Sequence, residues 1–251
     1  MKLATVILAA GKGKRMKNPD KSKVMFELAG IPLIEYVVNL ALKIESEKVV
    51  LIVGHQKQSV IDFINLKYES EISKISFAHQ DQQLGTGHAI MQTYEILKNF
   101  EGDVLILSGD VPLLRYETVE NFLTFHKDNK FKASLLSAIF SDPFGYGRII
   151  RDDNGNFIDI IEDKDADDEI KKIKEINSGI YIIDSKLLFE SIKTLDTNNS
   201  QGEYYLTDIF RYFKENKVPI GAIPVKNNIE IAGINTVEQL EEMSGLINNK
   251  K

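Results

Sequence analysis

Apolar positions along this chain fall into two textures. Residues 3–8, 49–53, 75–78, 104–107 and 133–139 are short, nearly unbroken apolar runs rich in strand formers. Runs of that length without alternation predict strands buried on both faces. Between them, residues 31–43, 59–66, 86–97 and 117–127 carry helical periodicity, with Pro32 suited to a first turn. Strand and helix alternating in this way predict βαβ units and a mostly parallel, twisted sheet covered by helices. In such sheets ligands sit beyond the carboxyl ends of the strands. The segments after the first and fourth strands, around Gly11 and Asp110, both fall there.

After about residue 140 the texture changes. Residues 146–151, 156–162 and 175–184 predict shorter strands joined by turns, notably Asp153-Asn154-Gly155. The charge-dense stretch 163–174 between them reads as a solvated loop or helix. Residues 186–193, 204–214 and 237–247 predict helices, and 218–225 and 230–232 predict strands. No repeat or flexible linker interrupts the pattern. The expectation is one α/β domain over residues 1–251 with a β-rich lobe in its second half.

Composition removes several classes of chemistry. Among 251 residues there is no cysteine, so disulfides, thiolate-ligated metals and thiol nucleophiles are excluded. The formal net charge of −6 argues against broad binding of a nucleic-acid backbone. No apolar stretch approaches the ~18 residues that span a bilayer. The first apolar run is short and basic residues follow it at once, so it reads as a buried strand rather than a signal peptide. A cytoplasmic protein is expected.

Against this acidic background, Lys12, Lys14, Arg15, Lys17, Lys21 and Lys23 crowd twelve residues beside Gly11 and Gly13. A glycine-rich turn can point backbone N–H groups at an anion, and arginine grips phosphate oxygens in pairs. The spacing fits neither G-x-G-x-x-G nor G-x-x-x-x-G-K-[ST]. Gly85-Thr86-Gly87, ahead of a predicted helix, suits either close approach to a ligand or a helix cap by Thr86. His88 beside it reads as a structural histidine. Asp110, just past a buried strand, suits either a turn or an Mg²⁺ ligand completed by substrate phosphates. Gly147, Glu162 and Asn177 suit either hairpins and turns or a sugar pocket. No Ser, His or Cys lies in a nucleophile setting, which weakens hydrolytic and covalent mechanisms.

Taken in order, L-A-A-G-K-G-K-R-M, S-K-V, Q-L-G-T-G-H-A, G-D-V-P-L, Y-G-R-I, E-I-N-S-G-I-Y, Q-G-E-Y-Y-L-T-D and G-I-N-T resemble the sugar-nucleotide pyrophosphorylases. The resemblance runs from residue 3 to about residue 247. It is strongest to the uridylyltransferase domain of the bacterial UDP-N-acetylglucosamine branch. It implies a Rossmann-like nucleotidyltransferase fold and transfer of UMP from UTP to N-acetylglucosamine 1-phosphate. It implies nucleotide binding by Leu8, Ala10, Gly11, Gly13, Gln80, Gly85 and Thr86, and catalysis by Arg15 and Lys23. Mg²⁺ falls to Asp110 and Asn235, and the sugar to Gly147, Glu162 and Asn177. Residues 1–140 then form a nucleotide half and 141–251 a sugar half. Small-molecule substrates are implied, without nucleic acid or membrane, and a homo-oligomer is left open.

Three departures qualify the resemblance. Lys14 replaces a usual Thr, and Ser178 replaces another. The segment before Lys23 is one residue longer than usual and reads K-S-K-V, so Lys21 competes with Lys23 for the catalytic role. The hexapeptide-repeat β-helix of bifunctional family members is not seen, and no acetyltransferase activity is expected. Open alternatives are a related sugar 1-phosphate, dTTP in place of UTP, or a non-catalytic module that binds nucleotide sugars.

Overall fold

The computed structural model describes residues 2–248. Met1 and residues 249–251, part of the single domain expected, lie outside the described residues. In chain order the elements are β1 (Leu3–Ala9), β2 (Glu27–Leu28), β3 (Ile31–Pro32), α1 (Leu33–Lys43), β4 (Lys48–Val53), α2 (Lys57–Lys67) and β5 (Ile75–His79). Then come α3 (Thr86–Met91), α4 (Tyr94–Leu97), β6 (Asp103–Ser108), α5 (Tyr116–Asp128) and β7 (Ala133–Ile139). The second half holds β8 (Arg148–Arg151), β9 (Phe157–Ile161), α6 (Asp168–Lys171), β10 (Glu175–Asp184), α7 (Ser185–Ser191), α8 (Ile209–Glu215), β11 (Ile220–Pro224) and α9 (Val237–Asn248).

The strands lie in the order β11-β7-β10-β6-β1-β4-β5. The pairs β6–β1, β1–β4, β4–β5 and β11–β7 are parallel. Only β10 runs against its neighbours β6 and β7. The expected mostly parallel sheet is therefore present, and the change of texture near residue 140 marks the reversed strand. The β8–β9 hairpin hangs from the start of β10, through Arg148 opposite Ile176. Strands β7, β10 and β11 extend the same sheet, so the two halves share one continuous framework.

Burial follows the pattern that predicted it. Val49 to Val53 of β4 are fully enclosed, as an unbroken apolar strand between helical layers must be. On one face Ile7, Leu51 and Leu105 pack against Val37 and Val38 of α1, Ile64 of α2 and Phe122 of α5. On the other, Val6, Ile52 and Ile106 pack with Ile90 of α3, Leu188 of α7 and Phe210 and Phe213 of α8. Thr5 is buried in β1, and its hydroxyl is satisfied by Ser46 Oγ at 2.6 Å. Among the described residues no helix is long and apolar enough to cross a membrane.

Four local expectations change. Pro32 does not open the first turn of α1. Ala29 and Gly30 take positive φ, 52° and 80°, and fold β2 back on β3, so Pro32 ends a hairpin strand and caps the helix. The helix expected over 86–97 breaks into α3 and α4, because the buried Thr93 hydroxyl donates to Ile90 O at 2.7 Å and interrupts the ladder. Residues 204 and 205 are not helical. Tyr204 N donates to Leu84 O at 2.8 Å and Tyr204 O accepts from Gly87 N at 2.7 Å, which holds them extended ahead of a 3₁₀ turn, Leu206–Asp208. The strand expected at 230–232 is instead a 3₁₀ turn, Asn228–Ile231, fixed by the buried Glu230 carboxylate. Glu230 accepts from Arg115 and, at 2.5 Å, from the Thr118 hydroxyl of α5.

Phe210 is fully buried among Tyr181, Phe157 and Phe213, where α8 meets β9 and β10. Phe210→Ala should lower stability by about 3–5 kcal/mol. Urea denaturation checks this: the midpoint should fall with the slope of the transition unchanged.

Candidate active site

Parallel pairing sets Leu8 opposite Ser108, so β1 and β6 release their chains side by side at one edge of the sheet. From β1 the chain returns toward β4, and from β6 it leads away to α5 and β7. This is the divergence at which an open α/β sheet forms a crevice. Gly13, at φ 56°, turns the basic loop into a 3₁₀ turn, Lys14–Met16. A Cβ on Gly13 would lie 2.8 Å from Lys23 Cβ, so the loop rests directly on the stem of Lys23.

Four of the expected residues meet at this edge. Lys23 Nζ forms an ion pair with Asp110 Oδ2 and donates to Asn235 Oδ1 at 2.8 Å. Arg15 donates to the same Asn235 oxygen at 3.0 Å. The Asn235 amide is held by its own Nδ2 on Gly233 O at 3.1 Å, and Ile234 N donates to Asp110 O at 2.9 Å. Glu230 anchors this loop to α5 from the other side. Lys21 instead lies over the Phe26 ring, 5.2 Å from its centre, away from the cluster. Of the two lysines, Lys23 is the one brought to Asp110.

Among the described residues no three His, Asp or Glu side chains gather as a protein-only metal cage. The donor set nevertheless fits a hard divalent ion. Asp110 Oδ2 and Asn235 Oδ1 both reach one point, now held by Lys23 Nζ. Mg²⁺ is commonly bound by one or two protein oxygens, with water and substrate phosphates completing the shell.

Beside the cluster opens a cavity of about 260 Å³ whose lining includes Leu8, Ala10, Gly11, Lys23, Gln80, Gly85, Thr86 and Asp110. All the expected nucleotide residues except Gly13 line it. Gln80 is buried, and its Nε2 is occupied by Gly85 O at 2.9 Å and His88 Nδ1 at 3.2 Å. That leaves its carbonyl as the free acceptor. Gln83 and Glu203 line the same cavity; both lie inside quoted motifs, and neither was assigned a role from the sequence.

The Gly-Thr-Gly segment lines the cavity through Gly85 and Thr86 and also packs against a distant stretch of backbone. A Cβ on Gly85 would lie 2.5 Å from Tyr204 O, and one on Gly87 2.9 Å from the same oxygen. These glycines admit the backbone of residues 203–206. Thr86 caps no helix; its hydroxyl accepts from Leu206 N at 3.1 Å. His88 is structural as expected, stacked on Tyr204 and held by Gln80 and Gln92.

A second cavity of about 200 Å³ adjoins the first and shares Leu8, Thr86 and Ser108 with it. Gly147, just before β8, Glu162, just after β9, and Asn177 of β10 all line it. Asn177 Nδ2 donates to the buried Tyr181 hydroxyl at 2.6 Å, and Asn177 N to Gly147 O at 2.8 Å. Glu162 accepts from the Thr207 hydroxyl at 2.8 Å. Tyr146, Tyr181 and Thr207 were passed over in the sequence although each lies inside a quoted motif. Nothing but the fold brings their side chains to this wall. Burial raises the Tyr146 hydroxyl above its usual range. The Asp110 charge adds to this, while the Gly233 N–H and the Arg15 charge oppose it.

Comparison with known proteins decides the family. Residues 4–228 match the nucleotidyl transferase family. The protein is a nucleotidyl transferase. It is 43% identical over 248 residues to the bifunctional protein GlmU of Acetivibrio thermocellus, an alignment covering 99% of this chain and 52% of that protein. It is also 43% identical over 230 residues to the GlmU proteins of Streptococcus thermophilus and Streptococcus uberis, covering 92% of this chain and 48% of each. The chain thus spans about half the length of these relatives. Among solved structures, UDP-glucose pyrophosphorylase complexed with UDP-glucose superposes with a TM-score of 0.79 at 20% identity, covering 100% of both chains. Its apo form gives the same score. At that identity the likeness establishes the fold, which is the one expected for a nucleotidyl transferase.

Burial raises the Glu162 carboxyl above its usual range. The Thr207 hydroxyl opposes the rise, and Asp208, Asp165 and Asp163 add to it. A carboxyl raised in the folded state contributes stability below its unfolded pKa and loses it as pH climbs through the folded value. Glu162→Gln cannot ionise. It should therefore gain stability relative to the native protein as pH rises from about 4.5 through the raised value, and hold that gain above it. Urea midpoints for both proteins across this range check the sign.

Proposed function

We propose that this nucleotidyl transferase moves UMP from UTP to N-acetylglucosamine 1-phosphate, giving UDP-N-acetylglucosamine and pyrophosphate with Mg²⁺. The observation that carries the reading is the pair of adjoining cavities, sharing Leu8, Thr86 and Ser108, with Lys23 and Asp110 on the wall of the first. The first cavity, in the nucleotide half, takes the nucleotide. The second, lined mostly by residues after 140, takes the sugar. The likeness to GlmU over nearly the whole chain supports this choice of substrates.

The reaction asks little covalent chemistry of the protein. An oxygen of the sugar 1-phosphate forms a bond to the α-phosphorus, and the bond from that phosphorus to the bridging oxygen of the leaving pyrophosphate breaks. The nucleophile is already ionised, so no general base is required. What remains is to hold two polyanions in line and to stabilise charge as it moves onto the leaving group. Arg15 and Lys23 provide fixed positive charge, and the backbone from Ala10 to Gly13 cradles the phosphates. The Gln80 carbonyl accepts from the N3–H of a pyrimidine. Glu162, Asn177 and the backbone at Gly147 bind sugar hydroxyls and the acetamide. Mg²⁺, held by Asp110 and Asn235, supplies electrostatic stabilisation of phosphate charge when bound. A cytoplasmic location is part of this reading, since substrates of this charge do not cross a bilayer unaided.

Pyrophosphate release by purified protein tests the proposal, with UTP and dTTP each offered N-acetylglucosamine, N-acetylgalactosamine and glucose 1-phosphates. Turnover should be greatest with UTP and N-acetylglucosamine 1-phosphate and should vanish with EDTA. Thymine also carries an N3–H, so the dTTP arm reads the base contacts beyond Gln80. Preference for another pair would overturn the substrate assignment. Folded protein that binds UTP but releases no pyrophosphate with any pair would leave a binding module. Asp110→Asn should lower kcat by at least about 10²-fold, in the range seen when one electrostatic stabiliser is removed.

A further inference from the structure

Lys23 occupies the place a divalent cation needs. Its Nζ is paired with Asp110 Oδ2 and donates to Asn235 Oδ1 at 2.8 Å, and these are the two oxygens assigned above to the metal. The contact is shielded, with the Lys23 and Asp110 side chains only 14% and 17% exposed. Without a cation in place, Asp110 would be a largely dehydrated and uncompensated charge. A lysine ammonium is a compact charge that meets this need. It also repels any second cation drawn to the same oxygens. Arg15, 3.0 Å from the same Asn235 oxygen, adds to that repulsion.

The lysine is fixed at its base and free at its tip. It begins the 3₁₀ turn Lys23–Met25, and its Cβ is seated against Gly13. Three rotatable bonds beyond that point can move the ammonium. Lys23, Gly11 and Asp110 line the same cavity, so phosphates bound on the basic loop come within the swing of the ammonium.

We infer that Lys23 is the resident cation of the free protein, and that it yields its place by exchange. Nucleotide phosphates draw the Lys23 ammonium off Asp110 and Asn235, and the two oxygens thereby become available to a divalent ion. Metal affinity is then conditional on nucleotide, and one lysine both guards the metal site and meets the phosphates. The inference rests on the reading that Asp110 and Asn235 hold the metal.

Manganous ion binding, followed by the paramagnetic resonance of the free ion, tests this without turnover. The proteins are the native chain, Lys23→Met, Asp110→Asn and the double variant. Each is titrated alone and with a UTP analogue whose α–β bridge is a methylene. Without nucleotide, Lys23→Met should bind Mn²⁺ at least tenfold more tightly than the native protein, and the double variant should lose that gain. With the analogue present, the gap between native and Lys23→Met should shrink. Lys23→Gln, which drops the charge with a polar side chain, carries the same test should Lys23→Met fail to fold. Equal Mn²⁺ affinity of the native and Lys23 variants without nucleotide, with binding still lost in Asp110→Asn, overturns the exchange and leaves the metal assignment standing. Binding unchanged by Asp110→Asn overturns the metal assignment and the exchange with it.

Discussion

The parallel pairing of β1 with β6 is the constraint from which the site follows. With Leu8 opposite Ser108, both strands end at the same level, and Gly109 N donates back to Leu8 O at 2.9 Å. The basic loop and Asp110 must then emerge as neighbours, although about a hundred positions separate them in the chain. A shift of register by one residue would exchange the two faces of a strand between the helical layers, and the packing of Ile7 and Leu105 into one layer and of Val6 and Ile106 into the other opposes it. The burial of the core thus fixes the polar geometry at the strand ends to within the rise of a residue.

Charges brought together at such an edge must be compensated, and the chain compensates them from distant segments. Asp110 is matched by Lys23 from the first loop and approached by Asn235 from near the end of the chain. The turn that leads to Asn235 is in turn pinned by Glu230, whose buried carboxylate is answered by Arg115 and Thr118. Glu162 is the exception. Its one hydroxyl partner is outweighed by burial and by the carboxylates around it, and its proton is held more tightly as a result. A group kept partly dehydrated and with few partners in the free protein is one to which a sugar hydroxyl can still be offered.

The sheet was legible in the sequence because its evidence is local. Unbroken apolar runs identified β1, β4, β6 and β7, and the order of strands and helices implied their parallel arrangement. The motif residues were legible too, since Gly, Asp and Lys beside strand ends carry their chemistry in their type. What the sequence did not show was which partner each group would find. Gly85 and Gly87 read as room for a ligand or as turn glycines, and beside the cavity that Gly85 lines they also admit the backbone of Tyr204. Tyr204 and Tyr205 carried helical periodicity, yet backbone hydrogen bonds to Leu84 and Gly87 keep Tyr204 extended. Glu230 looked like part of a strand until the approach of Arg115 gave its side chain a buried partner. In each case a contact across more than a hundred residues overrode a local preference, and no periodicity within a segment encodes such a contact.

The same contacts join the walls of the two cavities. Leu8, Thr86 and Ser108 belong to both walls, so the junction of the two cavities is framed by strand ends and a helix start. Thr86 is further tied to the 204–207 segment through Leu206 N, and Thr207 in that segment holds Glu162. A displacement of α3 at the first cavity is therefore carried to the wall of the second through two hydrogen bonds. In the reaction proposed, which depends on alignment rather than on a nucleophile of the protein, a rigid frame between the reacting groups is the main thing the fold can contribute. The glycines at 85 and 87 make that frame possible, because any side chain there would push the two segments apart.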